Sequence, residues 1–493
     1  MLATLFILLI TALLAHWVLY VTLGDRAVPG IPVVGQKPGE WSSRPALIRF
    51  LKRGRELTLE GLAKYPGKAF QMFTMWGPII VLPPNFLDVT KNHPDLIMSY
   101  FSEYTGFWAY NASMLHEDSM RAAIIKYGIN RSLSKFIFNE LLRLHASSCL
   151  TQIIREANLA LPGGKWYETV ITQDLHLLVC RIISILILGQ RDNEEWIDIA
   201  KTHVSNCSRA GRDLMIFPPI LRPLAYWLLP NTRKVQKQYR QVKRIVKERS
   251  RQYGIEDLEK SDMNILSWSQ QYAEQSGQPE KYDLAHCQLY FMAVSIHTVS
   301  SMLASIMLDL LHHAEYIEVL RNEISSVIGS VEDLEKKSQL HQLKVMDSFM
   351  KESQRLSGTN FFINKRGVAK DITLADGTVL PRGAIVVVPA IVPDSEEGDE
   401  FDGYRYSRRV ESSDNPSHWL FTSNGNDMPW FGVGKHECPG RFFGDMILKI
   451  ALVHLLTCFD WKFKEGVPAP GKYLFAHETI PDPYGTVMYK ARG

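Results

Sequence analysis

Near its C-terminus the chain runs Pro429-Trp430-Phe431-Gly432-Val433-Gly434-Lys435-His436-Glu437-Cys438-Pro439-Gly440-Arg441-Phe442-Phe443. One cysteine closes a glycine-bearing loop just ahead of a long apolar segment. This spacing presents a single sulfur at a helix N-terminus, where amides and the helix dipole favour negative charge. Gly434 is expected to let the backbone approach a large flat cofactor closely, and Gly440 to let the first helical turn pack against it. The chemistry open to such a lone thiolate is ligation of a metal at the centre of that cofactor.

Three other segments carry polar groups in patterns that could work with it. Lys351-Glu352-Ser353-Gln354-Arg355 lies on a predicted helix, so Glu352 and Arg355 share one face. On a protein surface such a pair would contribute little. Phe401-Asp402-Gly403-Tyr404-Arg405-Tyr406 places a further arginine ahead of the cysteine loop. Phe291-Met292-Ala293-Val294-Ser295-Ile296-His297-Thr298-Val299-Ser300 falls within a long apolar helix predicted over residues 283–313. There the Thr298 hydroxyl can hold a water and relay protons, and His297 can pass protons near neutral pH.

Taken together, these segments resemble the cytochrome P450 family of heme-thiolate monooxygenases. Phe431, Gly434, Cys438 and Gly440 fill the four fixed positions of that family's heme-loop pattern. The resemblance implies the cytochrome P450 fold, mainly α with small β-sheets. It implies heme b, with Cys438 as the axial thiolate that pushes electron density toward bound dioxygen. Glu352, Arg355 and Arg405 would form a buried triad that supports the heme region. Thr298 and His297 would serve proton delivery. The usual pattern there is a small residue, Gly, any residue, an acid and Thr; here Ser295 takes the glycine position and His297 the acid position. This Ile-His-Thr form is similar to that of filamentous-fungal members.

The heme carboxylates need cationic or hydrogen-bonding partners. By resemblance, His436 is one, Lys365 or Arg366 the second, and Lys126 and Arg131 fall in the helix that supplies a third, where the family's tryptophan is not evident. Lys435 stands where arginine is more usual. The implied pocket walls are Trp108 and Tyr110, then Met292, Ala293 and Ser295, then Thr359, Phe361 and Phe362. They are mostly apolar and aromatic, as a bulky hydrophobic ligand requires. The segment 393–401 is acidic and shorter than the family's.

The 493 residues are 46% hydrophobic and 11% aromatic, enough for a large core. No linker-like or repetitive stretch follows the N-terminal segment, so one large domain is expected over 41–493. A net charge of +3 argues against nucleic acid as partner. The cysteines Cys149, Cys180, Cys207, Cys287, Cys438 and Cys458 contain no Cys-x-x-Cys pair, which fits a reducing compartment. Sequons at Asn111, Asn130 and Asn206 would then be accidental. Residues 2–23 lack Asp, Glu, Lys and Arg and are long enough to cross a bilayer. Lys37, Arg44, Arg49, Lys52, Arg53 and Arg55 follow, so the expectation is a single-pass anchor over 1–23, a proline-rich hinge over 24–40 and a cytosolic domain on the endoplasmic reticulum.

Residues 69–76 and 79–82 read as a hairpin turning at Gly77-Pro78, with a helix starting at 85. Helical spacing also covers 132–158, 196–209 and 234–253, the last a basic, solvated face. Residues 371–390 read as strands with turns at Asp376-Gly377 and Pro381-Arg382-Gly383. The resemblance implies electrons from an NADPH–cytochrome reductase, with cytochrome b5 as an optional donor, and insertion of one dioxygen atom into a small hydrophobic substrate. A terpenoid or meroterpenoid secondary metabolite is the leading substrate class, with indole alkaloids second. Desaturation, ring rearrangement or oxidative coupling start from the same cofactor and stay open as alternatives. A non-enzymatic heme-binding protein is the third reading, and retention of Thr298 speaks against it.

Overall fold

The computed structural model describes residues 11–12, 14–15, 17–19, 22, 24–97, 164–189, 193–217, 221–252, 264–330, 333–334, 337–358, 361–390 and 400–492. Helices predominate. In chain order they are α1 (Arg44–Lys64), α2 (Leu87–Asn92), α3 (Ile171–Leu188), α4 (Glu194–Met215), α5 (Arg222–Leu228), α6 (Pro230–Gln252), α7 (Ile265–Gln275), α8 (Leu284–His312), α9 (Glu315–Val327), α10 (Lys337–Gln342), α11 (Lys344–Ser357), α12 (Arg405–Ser412) and α13 (Arg441–Cys458). The expected helix over 132–158 lies outside the described residues.

The longest helix, α8, starts where the Asp283 side chain accepts the backbone N–H of His286, satisfying one of the first-turn amides. Its 29 residues extend about 44 Å. It packs against α3, α4, α6, α7, α11 and α13, and apolar residues of these helices form the main core. α3 and α8 are each long and apolar enough to cross a membrane, with mean hydropathies of 1.8 and 1.7. Both are interior helices, mostly covered by protein.

Strands β1 (Phe70–Thr74), β2 (Gly77–Val81), β3 (Leu96–Ile97), β5 (Phe362–Val368) and β8 (Ile385–Pro389) form one sheet in the order β1-β2-β8-β5-β3. Only the β2–β8 pairing is parallel. Strands β4 (Tyr167–Val170), β12 (Thr486–Ala491) and β9 (Phe459–Phe463) form a second sheet. Two hairpins complete the strands: β6 (Ile372–Thr373) with β7 (Val379–Leu380), and β10 (Lys472–Phe475) with β11 (Glu478–Pro481). The β1–β2 turn is not at Gly77-Pro78 as expected. Thr74 pairs with Gly77, so Met75 and Trp76 form the turn. The Thr74 hydroxyl fixes it, donating to the Gly77 carbonyl at 2.9 Å and accepting the Trp76 N–H at 3.1 Å.

The proline-rich segment 24–40 is fastened to this sheet. Gln71 donates to the carbonyls of Val28 and Ile31 and accepts the N–H of Val28. Arg49 donates to the Gly35 carbonyl and pairs with Glu40. The described part of the N-terminal segment is helical. Trp17 stacks on Phe217, and its indole N–H donates to the Ile216 carbonyl at 3.0 Å.

Candidate functional site

The Cys438 loop is held by bonds that fix its backbone before the helix begins. The Cys438 N–H donates to the Phe431 carbonyl at 2.8 Å. Arg441 donates to the Cys438 carbonyl at 2.8 Å and pairs with Glu437 at 3.1 Å. The Asn424 amide donates to the Gly432 carbonyl and to Glu437. Asn364, at a bulge in β5 with φ +48°, accepts the Val433 N–H and donates to Thr90 of α2. Arg441 and Asn424 adjoin the motif in sequence, whereas nothing in the sequence marks Asn364 as its support.

Gly434 serves a different neighbour from the one expected. Its φ is +79°, and a Cβ there would lie 2.7–2.9 Å from the carbonyl oxygen, Cα and Cβ of Lys91. The glycine therefore lets the loop close on the end of α2. Among the described residues, a Cβ at Gly440 would meet only the Cys438 sulfur, at 4.0 Å, the room that packing against a flat group would require.

Burial pushes the Cys438 thiol up. The Gly440 amide, the Arg441 guanidinium and the Arg441 amide pull it down, and Glu437 opposes them. Burial wins, so the helix N-terminus alone does not deliver the thiolate that sequence spacing suggested. A thiolate here becomes the stable form when a metal cation shares the site.

One turn along, Gly444 meets Val299 of α8, 4.0 Å from a Cβ built there. The crossing brings the Cys438 helix beside Thr298. Within a helix otherwise largely buried, Val294, His297 and Thr298 are exposed, Val294 at 40%. Their i, i+3, i+4 spacing makes one face. An apolar residue left open in mid-core, opposite a room-bearing cysteine, fits a large flat cofactor between the two helices. Thr298 donates to the Val294 carbonyl at 2.8 Å, and Ser295 donates to the Phe291 carbonyl. Although part of its side chain is open, the helices packed around His297 withdraw enough solvent to lower its pKa, partly offset by the charge of Glu478.

Met292 is corrected as a pocket wall. It points opposite Val294 and is fully buried in the main core. Ala293 and Ser295 flank the open face. Phe362 is likewise core, stacked on His477 at 5.1 Å. Phe361 is half-buried, with Arg55 over its ring. Val294 was missed, although its i−4 relation to Thr298 could have found it.

Glu352 is fully buried and takes both arginines. Arg355 reaches it through Nε at 2.9 Å and Nη2 at 2.7 Å, and Arg405 through Nε at 3.0 Å. The Asp402 N–H adds a fourth bond at 3.1 Å. The Glu400 carbonyl accepts from both guanidiniums. The expected triad is thus assembled. His436 is half-buried in the turn before Cys438. Arg366 is buried on β5. Lys365 goes elsewhere, over the Trp76 ring at 5.1 Å and against His477 Nε2 at 3.2 Å. Burial lowers its pKa to about 8. The structure therefore takes Lys365 away from the propionate role, because the adjacent strand positions face opposite sides. Trp108, Tyr110, Lys126, Arg131 and Thr359 lie outside the described residues.

The sequence model of the cytochrome P450 family matches residues 140–480. A curated relative, cytochrome P450 monooxygenase AN1598 of Emericella nidulans, is 30% identical over 90% of this chain and 84% of its own length. This chain belongs to the cytochrome P450 family. Ent-kaurene oxidase P450-4 of Gibberella fujikuroi is 29% identical over 97% of this chain and 98% of its own length. Cytochrome P450 monooxygenase TRI1 of Fusarium sporotrichioides is 30% identical over 95% and 88%. Membership makes the protein a heme-thiolate monooxygenase that draws NADPH-derived electrons through a reductase.

Proposed function

We propose that this cytochrome P450 oxidises a bulky terpenoid or meroterpenoid, with Cys438 as the ligand to heme iron. The observation that carries the assignment is the pairing of a room-bearing Cys438 with the open Val294, His297 and Thr298 face of the crossing helix. When bound, the heme supplies dioxygen activation and oxygen transfer to an unactivated carbon. His436 and Arg366 would hold its carboxylates. The Glu352–Arg355–Arg405 triad fixes α11 to the segment ahead of the loop. Val294, Ala293 and Phe361 give the substrate apolar contact, and Thr298 and His297 manage protons. The terpenoid class is supported by the ent-kaurene oxidases among the relatives.

The reading includes a membrane-bound enzyme on the endoplasmic reticulum, with 1–23 as anchor. Leu14, Val18 and Leu19 are exposed on the N-terminal helix, and Ile216, Leu224, Trp227 and Leu228 are exposed around α5. The Trp17–Phe217 contact joins the two groups into one apolar face, of the kind that enters an interface. Basic α6 adjoins it. Two experiments test the reading. Cys438→Ser should keep its fold by circular dichroism yet lose the carbon-monoxide spectrum of a thiolate-bound ferrous heme; an unchanged spectrum refutes Cys438. Microsomes with reductase and NADPH should oxidise members of a diterpene and meroterpene panel. Turnover of indole alkaloids alone would refute the substrate class.

A further inference from the structure

A buried ammonium is costly, and Lys351 is fully buried in the middle of α11. Methionine would fill the same space without that cost. What the amine adds is direction. Lys351 Nζ donates to the Leu420 carbonyl at 2.7 Å and to the Ser423 hydroxyl. One helical turn earlier, Asp347 accepts the Phe421 N–H at 2.7 Å. The Leu420 carbonyl and the Phe421 N–H belong to one peptide group, so one face of α11 grips that group at both ends. Lys449 of α13 holds Asp347 in turn, at 2.6 Å. Glu352 is the next residue, turned about 100° around the helix, and it serves a different segment, residues 402–405.

From the gripped peptide, contacts run to the cysteine by two routes. The Phe421 ring meets the Phe431 ring edge-on, centroids 5.8 Å apart, and the Phe431 carbonyl accepts the Cys438 N–H at 2.8 Å. Asn424, next after Ser423, donates to the Gly432 carbonyl and to Glu437, the residue before the cysteine. Trp430 stands immediately ahead of Phe431. Its ring centroid lies 5.9 Å from the Lys351 ammonium, and that of Tyr406 lies 5.1 Å away. Just past the end of α11, a Cβ at Gly358 would come within 3.7 Å of Trp430. The tryptophan is therefore laid along the same helix that grips residues 420 and 421.

We propose that Lys351 is a positioning residue for Cys438. It fixes the 420–424 segment and Trp430 on α11, and these hold the Phe431 carbonyl that receives the cysteine's N–H. This rests on the reading of Cys438 as the heme ligand. The Glu352 triad ties down the segment ahead of the loop, whereas Lys351 ties down the segment that enters it. A ligand sulfur works only when its backbone is held by neighbours that are themselves locked. Lys351 is that lock, and its loss frees the loop without opening a cavity when methionine replaces it.

The test uses the full-length, heme-loaded protein without denaturant. Lys351→Met keeps the side-chain length and removes the donors, so circular dichroism and heme stoichiometry should stay near the parent. Two readouts should move. Amide hydrogen exchange, followed by peptide mass spectrometry, should quicken several-fold in the peptide bearing Cys438 and stay unchanged in peptides of α3. The carbon-monoxide complex of the ferrous heme should pass several-fold faster from its thiolate-bound spectrum to that of a protonated or displaced sulfur. Ser423→Ala keeps the lysine and its carbonyl bond and should give a smaller shift in the same direction; it carries the test where Lys351→Met fails to fold. Both changes act on one loop, so the double variant should lose less than the sum of the two. Parent-like exchange and an unaltered spectrum in both variants overturn the proposal, and so does simple additivity. A parent protein without the thiolate spectrum would refute Cys438 as the ligand, and the exchange rates would still decide whether Lys351 holds the loop.

Discussion

Replacing Glu352 by alanine tests the buried triad most directly. The carboxylate is fully buried and accepts three arginine N–H bonds plus the Asp402 amide. Its removal leaves Arg355 and Arg405, side chains 17% and 10% exposed, facing each other across the Glu400 carbonyl that accepts from both. Breaking a buried pair this way costs about 3–5 kcal/mol, or roughly two to four orders of magnitude in the folding equilibrium. Arg405→Met should cost less, about 1–3 kcal/mol, because Arg355 still grips both Glu352 oxygens. A triple variant with methionine at all three positions should recover part of the loss, since no charge is then stranded. Urea unfolding followed by circular dichroism gives the stability order, and heme-to-protein stoichiometry gives the functional cost. Glu352→Ala that binds heme one-to-one and unfolds within about 1 kcal/mol of the parent would refute the argument. It would mean that the triad behaves as a surface cluster.

Gly434→Ala forces a side chain into left-handed backbone and onto the Lys91 main chain; a loss of about 1–3 kcal/mol and weaker heme retention on gel filtration are expected. Lys351 is fully buried and donates to the Leu420 carbonyl and Ser423, with Tyr406 and Trp430 over its ammonium. Burial lowers its pKa to about 7. A base whose folded pKa is depressed binds fewer protons in the native state, so stability should rise as pH climbs from about 7 toward 10, and Lys351→Met should flatten that rise in urea titrations. Lys449 joins Asp347 on α11 at 2.6 Å to Asp445 on its own helix at 2.9 Å. Burial already pushes Asp445 up to about 6. Lys449→Met leaves both carboxylates without their cation, so it should lose about 3–5 kcal/mol at pH 8 and regain part of it at pH 5, where protonation removes the charge.

What was legible in the sequence depended on how far away each residue's partner lay. The helices over 196–209, 234–253 and 283–313 were readable because apolar spacing and the Asp283 cap are local. Each came out within a few residues at its N-terminal end. The pairing of Glu352 with Arg355 was readable for the same reason, and Arg405 only through resemblance. Roles set by distant segments were not. The spacing of Gly434 was plain, but the Lys91 backbone that requires it comes from far earlier in the chain. Lys365 and Arg366 are neighbours, and only strand pleating and the hairpin's His477 separate their fates. The β1–β2 turn slipped because Gly-Pro is a strong turn signal, whereas a threonine hydroxyl bracing Met75-Trp76 leaves no pattern.

The pocket errors have one physical source. A helix face that encloses an apolar cofactor is apolar itself, so α8 reads as hydrophobic all round and periodicity alone cannot separate cavity from core. The polar pair His297 and Thr298 breaks that degeneracy. His297 and Thr298 are adjacent and both open in the structure, and that fixes the helix phase. From Thr298, a step of four residues back reaches Val294, which is open. A step of six reaches Met292, which falls on the far side and is buried.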